Sequence, residues 1–305
     1  MQAFAPDPVQ YTYSPNHTPL GTVSPGERFM ILTEDGFTGR YADPANFTPE
    51  TAAWVERNLD GVTGPVAVAG CEAGEAVAVT IETLEVTTPG CVVVSRCKAR
   101  SPLSWWQEED HVMNLPVADG RIALDGDWTV PASPLIGCLA TAPARETVLS
   151  KYESNDYLGN VDCREITAGA TVILPVSVDG ALLYFGDCKA AMADGEVVAA
   201  PEVGTRIVAA ARPVKRPASM GATRILTECR LTTVVSGISL ADACRLAFRE
   251  LKLWIQDQWG LTHEQAAIVM GIGAHCGVGQ ISNRHHTAKC SLDRSLLADT
   301  RKESQ

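Results

Sequence analysis

The sequence predicts an α+β fold, a β-rich body followed by helices. Short β-branched segments bounded by Gly, Pro or Asp fill the first two-thirds of the chain. Helical periodicity is weak before residue 238, and two capped helical stretches then follow in succession.

Strands are expected at residues 28–35 (RFMILTED), 75–86, 91–96 and 170–176. Val77, Val79 and Ile81 alternate with Ala78, Thr80 and Glu82, the pattern of a strand with one buried face. After residues 170–176 the run VDGALLYFGD turns at Val178-Asp179-Gly180, so 170–187 reads as a hairpin. Residues 205–216 and 222–235 add two more strands. The next stretch opens at Ser239 with Asp242 three residues on. Leu240, Ala243, Ala247, Leu251 and Trp254 follow helical spacing until Gly260, and Thr262 with Gln265 repeats the capping arrangement. No internal repeat or low-complexity linker divides the chain, which suits one domain over 1–305, β-rich to 236 and helical from 237, or two subdomains sharing a core.

Composition narrows the function. The 305 residues carry a formal net charge of -11 with Lys and Arg scattered, so no basic footprint for nucleic acid exists. No apolar run reaches the roughly 20 residues of a membrane span, and the N-terminus lacks the basic and apolar regions of a secretion signal. The ten cysteines include no C-x-x-C pair, so reduced thiols in the cytoplasm are expected rather than a disulfide scaffold or a zinc ribbon.

Most motif readings are weak. GIGAHCGVG follows a helix and lacks dinucleotide-loop spacing, and no phosphate loop or G-x-S-x-G elbow occurs. His285 and His286 read as a solvated turn. SWWQEEDH, with Trp105 and Trp106, reads as a loop or a lid over a pocket. Cys188 and Cys163 each sit beside an aspartate, and on a strand the two neighbours face opposite ways, so one enters a site while the other packs. The strongest signal is residues 159–197. There Asp162, Asp187, Lys189, Asp194 and Glu196 bracket apolar strands, although buried carboxylates are costly unless paired, metal-bound or shifted in pKa.

That block, GNVDCREITAGATVILPVSVDGALLYFGDCKAAMADGEV, resembles the acetamidase/formamidase family segment G-N-M-D … L-P-V … G-A-L … G-D-x-H-A … G-D-G-E. VTGPVAVAGCEAGEAVAV upstream and PLIGCLATAPARE are similar to further elements of that family, in order along most of the chain. The resemblance implies a sandwich-like β body with C-terminal helices and a homodimer or larger assembly. It implies hydrolysis of a small amide to carboxylate and ammonia, and a divalent metal such as zinc or calcium. It carries catalytic roles to Asp162, Asp187 and Glu196, the same three being candidate metal ligands, with Asp35 a weaker candidate for substrate binding.

The family histidine is here Lys189, and an ammonium cannot ligate zinc. Lys189 is then a charge substitute among the carboxylates, a desolvated base, or a receptor for an acid group on an amide or lactam. In the working mechanism Glu196 activates a water, Lys189 or a metal steadies the oxyanion, and Asn160 hydrogen-bonds the substrate. Two alternatives stay open. One is a covalent route through Cys188 or Cys163, with Cys188 otherwise lining the substrate site. The other is a binding or assembly homologue without turnover.

Overall fold

The computed structural model describes residues 1–94, 110–197 and 200–297, so SWWQEEDH lies almost wholly outside the described residues. Two nine-stranded sheets form the body. The first runs, in spatial order, Gln2–Phe4, Arg28–Thr33, Thr205–Val214, Ala76–Val86, Thr171–Pro175, Thr223–Leu226, Arg230–Gly237, His286–Asp293 and His275–Val278. The second runs Glu153–Ser154, Leu158–Asn160, Leu135–Ala140, Leu183–Lys189, Glu202–Val203, Gly90–Val94 and His111–Leu115. Val62–Val68 also pairs with Leu183–Lys189, and Gly21–Val23 lies parallel to it.

One apolar core joins the sheets. Phe29, Val79 and Ile207 of the first meet Ile136, Leu139 and Phe185 of the second, and the Phe29 and Phe185 rings pack edge-on with centroids 6.2 Å apart. The rest of the first sheet is covered by helices. α2 (Leu240–Trp259) and α3 (His263–Gly273) bury Ala247, Leu251, Trp254, Ala266 and Met270 against Leu231, Val235 and Leu292. The body is therefore sandwich-like with helices packed on it from the C-terminal part, as the sequence predicts. That part also returns two strands to the sheet.

The helix signals act as read. The Ser239 side chain accepts from the Asp242 amide, and Gly260 closes α2 in the left-handed region at φ 65°. Thr262 and Gln265 cap each other reciprocally at the start of α3. A further helix, α1 (Pro49–Arg57), lies before residue 238, where none was expected, and buries only Val55. Thr48 caps it and Pro49 opens it.

Two strand readings are corrected. Residues 170–187 do not make a hairpin: Thr171–Pro175 pairs in the first sheet and Leu183–Lys189 in the second. The intervening turn carries Gly180, Ala181 and Leu182 at φ 81°, 58° and 55°, which sends the chain across the sandwich instead of back along itself. Residues 222–235 form two strands rather than one, because Thr227 accepts and donates across a tight turn to Arg230.

Thr262→Ala removes one reciprocal cap and is expected to cost about 1 kcal/mol of stability in urea unfolding. An unchanged midpoint would show that the cap adds nothing to how α3 seats on the sheet.

Candidate active site

Leu183–Lys189 is buried at every one of its seven positions, because its inner face joins the core and its outer face, through Tyr184, packs with Tyr13 and Cys138. Three strands hold it: Leu135–Ala140, Val62–Val68 and Glu202–Val203. At its end the left-handed Asp187, at φ 50°, breaks the alternation, so that Cys188 joins Leu183 and Phe185 on the inner face. Cys188 packs inward, where Thr205 and Thr33 donate to its sulfur at 3.3 and 3.8 Å. Asp187 and Lys189 share the other side.

There Lys189 is 1% exposed and surrounded by carboxyls. Its Nζ lies 2.8 Å from Asp187 Oδ2, 2.8 Å from Asp162 Oδ1 and 3.4 Å from Glu202 Oε1. The Asp187 contact has hydrogen-bond geometry; the Asp162 oxygen is at ion-pair distance but off-angle and makes no hydrogen bond. Burial alone would lower the Lys189 pKa. Asp162, Asp187, Glu202 and Glu196 outweigh it and hold the ammonium well above the ordinary lysine value. Asp162 is pushed well up, by burial first and then by Glu196, with Lys189 opposing. Glu202 is pushed well up by burial and by Asp187. A lysine held in this way stays charged and is not a base.

The backbone is shaped around these groups. Asp162, Asp187 and Glu196 stand at φ 45°, 50° and 47°, left-handed conformations that non-glycine residues seldom adopt. A Cβ on Gly137 would meet Asp187 Oδ2 at 2.5 Å and Asp162 Oδ1 at 2.6 Å, and one on Gly36 would meet Asp187 Oδ1 at 2.8 Å. Only glycine leaves room for the two carboxyls at those points.

The other sequence candidates separate. Glu196 is buried beside the cluster, close enough to act on Asp162, and Ser282 donates to its Oε2. Asn160 Nδ2 donates to Asp60 Oδ2 at 2.6 Å, leaving the buried Asn160 Oδ1 without a partner. Asp35 caps its own loop, accepting from the Phe37 and Gly39 amides, and burial raises its pKa. Asp194 pairs with Lys289 at 2.8 Å rather than with Lys189. Cys163 is buried, donates to Glu165 at 3.1 Å, and is pushed well up by burial and by Glu165. His285 is no free turn residue, its Nδ1 lying 3.2 Å from the buried Glu153. Sequence reading missed Glu202, Asp60 and Ser282. Glu202 carried a signal, a lone acid between Pro201 and Val203. Asp60 looked like an ordinary Asp-Gly turn residue, and Ser282 lies 86 positions from its partner.

Asp60, Cys138 and Asp187 each offer one ligand atom, all within 4.8 Å of one another, and form a possible metal-binding triad. The surroundings do not fit a divalent cation. Asp187 Oδ2 already meets the Lys189 ammonium, whose charge would repel a metal at that distance. The fully buried Cys138 thiol also donates to Asp187 Oδ2 at 3.8 Å, so that oxygen already serves two protein donors.

The raised carboxyls make stability fall with pH. Native Asp162 and Glu202 keep protons that unfolded carboxyls release near pH ~4, so unfolding becomes easier as pH rises above that range. Lys189 acts in the same direction but only above the ordinary lysine value, where its contribution is lost as pH rises toward its raised pKa. Urea midpoints should therefore decline as pH rises above the ordinary carboxyl range toward the raised values of Asp162 and Glu202. Glu202→Gln should flatten that decline, and an equally steep variant would refute protonation of Glu202.

Residues 127–219, which supply Gly137, Asn160, Asp162, Asp187, Lys189, Glu196 and Glu202, match the model of the acetamidase/formamidase family. No curated protein matches the chain by sequence. Among solved structures, an acetamidase from Bacillus halodurans superposes with TM-score 0.89 at 22% identity, covering 98% of this chain and 99% of that one. A predicted acetamidase/formamidase from Thermoanaerobacter tengcongensis gives 0.90 at 24%, covering 98% and 97%. A gamma lactamase from Delftia acidovorans is more distant, 0.64 at 14%, covering 95% and 89%. At these identities the likeness is one of fold. Residues 127–219 thus match the acetamidase/formamidase family model, within a chain that has the fold of solved acetamidases over nearly its whole length.

Proposed function

We propose that the protein hydrolyses the C–N bond of a small amide, giving a carboxylate and ammonia, as a homodimer or larger assembly. One observation carries the reading. The segment matched by the family model supplies nearly every group of the buried charged cluster, including three carboxyl residues held in left-handed backbone. Strain and buried charge in one place point to chemistry, because neither stabilises a fold.

In this reading Glu196, at the outer side of the cluster and oriented by Ser282, takes a proton from water as that water attacks the amide carbon. The same proton later goes to the leaving nitrogen, so ammonia departs and the acid remains. The unpartnered Asn160 Oδ1 accepts from the substrate N–H₂, its own Nδ2 being occupied by Asp60. Lys189, fixed by Asp162, Asp187 and Glu202, supplies the positive charge that favours the developing oxyanion without any reorganisation. No step passes through a metal. With its ammonium turned inward onto three carboxyls, Lys189 reads better as this fixed charge than as a receptor for an acid group on the substrate.

A covalent route fits less well. The Cys188 thiol is held between two threonines on the core side, and burial pushes its pKa up to about 12.

Glu196→Gln should lower ammonia release from small linear amides by about 100-fold to 10,000-fold, with the unfolding transition retained. Full turnover in that variant would remove Glu196 from the mechanism. Cys188→Ala should keep turnover, and loss of it in a folded variant would favour the covalent route. Chelation should leave ammonia release unchanged. A loss reversed by added zinc or calcium would return a metal to the site.

A further inference from the structure

Lys289 is a second buried ammonium, carried by the first sheet. It stands on His286–Asp293, with Val234 and Gly277 opposite it on the two neighbouring strands. A Cβ on Gly277 would meet Lys289 Cε at 2.9 Å, so that glycine makes room for the lysine stem. Lys289 Nζ donates to Glu165 Oε1 at 2.8 Å, to Glu165 Oε2 at 2.9 Å and to Asp194 Oδ1 at 2.8 Å. Glu165 lies three residues after Asp162, and Asp194 two residues before Glu196.

We propose that Lys289 is a positioning residue, which clamps the turn carrying Glu196 to the turn carrying Asp162 and so keeps the base in place beside the charged cluster. The proposal rests on the amide-hydrolysis reading above. Both turns end on the same ammonium, through charge-assisted hydrogen bonds from a largely buried donor. Glu165 is fixed at both oxygens, and the Cys163 thiol donates to its Oε2 at 3.1 Å as well. Arg164 lies farther from Asp194, at 3.7 Å, and is half exposed, so it adds little to the hold.

The turn at Glu196 needs such a hold. Gly195 and Glu196 stand at φ 97° and 47°, consecutive positive values that a chain keeps only where its surroundings impose them. The Gly195 amide donates to the Gly279 carbonyl at 2.8 Å, the Ile281 amide donates to the Gly195 carbonyl at 3.0 Å, and Ser282 donates to Glu196. Those bonds tie the turn to residues 279–282 and involve none of residues 162–165. Lys289 supplies that link. Its loss leaves Glu196 on its own strained turn, free to shift against Asp162, and a displacement of about 1 Å is enough to slow a reaction.

Lys289→Met keeps the stem and removes the charge, while Asp194→Asn alters only the half-exposed partner and threatens the fold less. In the full-length protein, kcat and KM for ammonia release from small linear amides are measured beside amide hydrogen exchange and urea midpoints. Lys289→Met is expected to speed exchange across 162–166 and 193–197, and Asp194→Asn across 193–197 alone. Each should lower kcat by about 10-fold to 100-fold with KM held, and the double variant should lose no more than Lys289→Met. Unchanged exchange in the folded variants, an unchanged kcat, or additive losses in the double variant would overturn the clamp. If Lys289→Met does not fold, exchange and kcat in Asp194→Asn decide. A wild-type protein that releases no ammonia would sink the amide reading instead, and the exchange pattern then judges the clamp by itself.

Discussion

The buried Lys189 ammonium is the constraint on which the rest of the centre depends. A lone cation in that position would be prohibitive, and so would the carboxyls without it, since each is desolvated. Together they hold one another in place from three separate parts of the sheet: Asp162 after its short strand, Asp187 and Lys189 on the central strand, and Glu202 on the strand beside it. The charge of a lysine is tied to a flexible stem, and only the packing of Leu183–Lys189 on three neighbours turns it into a fixed charge.

The sandwich supplies that packing. A strand covered on both faces places every side chain in the interior, and here the polar ones gather at one end, where the inner face continues as core through Cys188. The crossing of the chain between sheets at Gly180 to Leu182 puts Leu183–Lys189 in the middle of the second sheet, which a hairpin would not have done. Glycines at 36 and 137 leave the space that the carboxyls occupy.

Much of this was legible beforehand. The fold class, both C-terminal helices with their caps, and the gathering of Asp162, Asp187 and Lys189 follow from spacing, alternation and the resemblance of residues 159–197 to a family segment. Partner choice was not legible. Sequence cannot distinguish two strands that pair from two that follow one another into different sheets, since each satisfies the same local pattern; the difference lay in two residues with positive φ, Ala181 and Leu182, which carry no turn signature. Nor could it say that Glu202 rather than Glu196 completes the ammonium's surroundings. Glu202 became a neighbour only through its pairing with Lys189 across adjacent strands.

The left-handed backbone at Asp162, Asp187 and Glu196 changes what a substitution there means. Alanine at any of the three removes a carboxyl and also places a residue with no side-chain compensation in a conformation costing about 1–2 kcal/mol. Loss of function in such a variant mixes chemistry with backbone rearrangement. Asparagine, which tolerates this region and keeps the shape of aspartate, isolates the charge at 162 and 187. Glycine isolates the side chain, because it alone relaxes the backbone while leaving the space empty. The three positions therefore admit a narrow set of replacements for reasons of conformation as well as of catalysis.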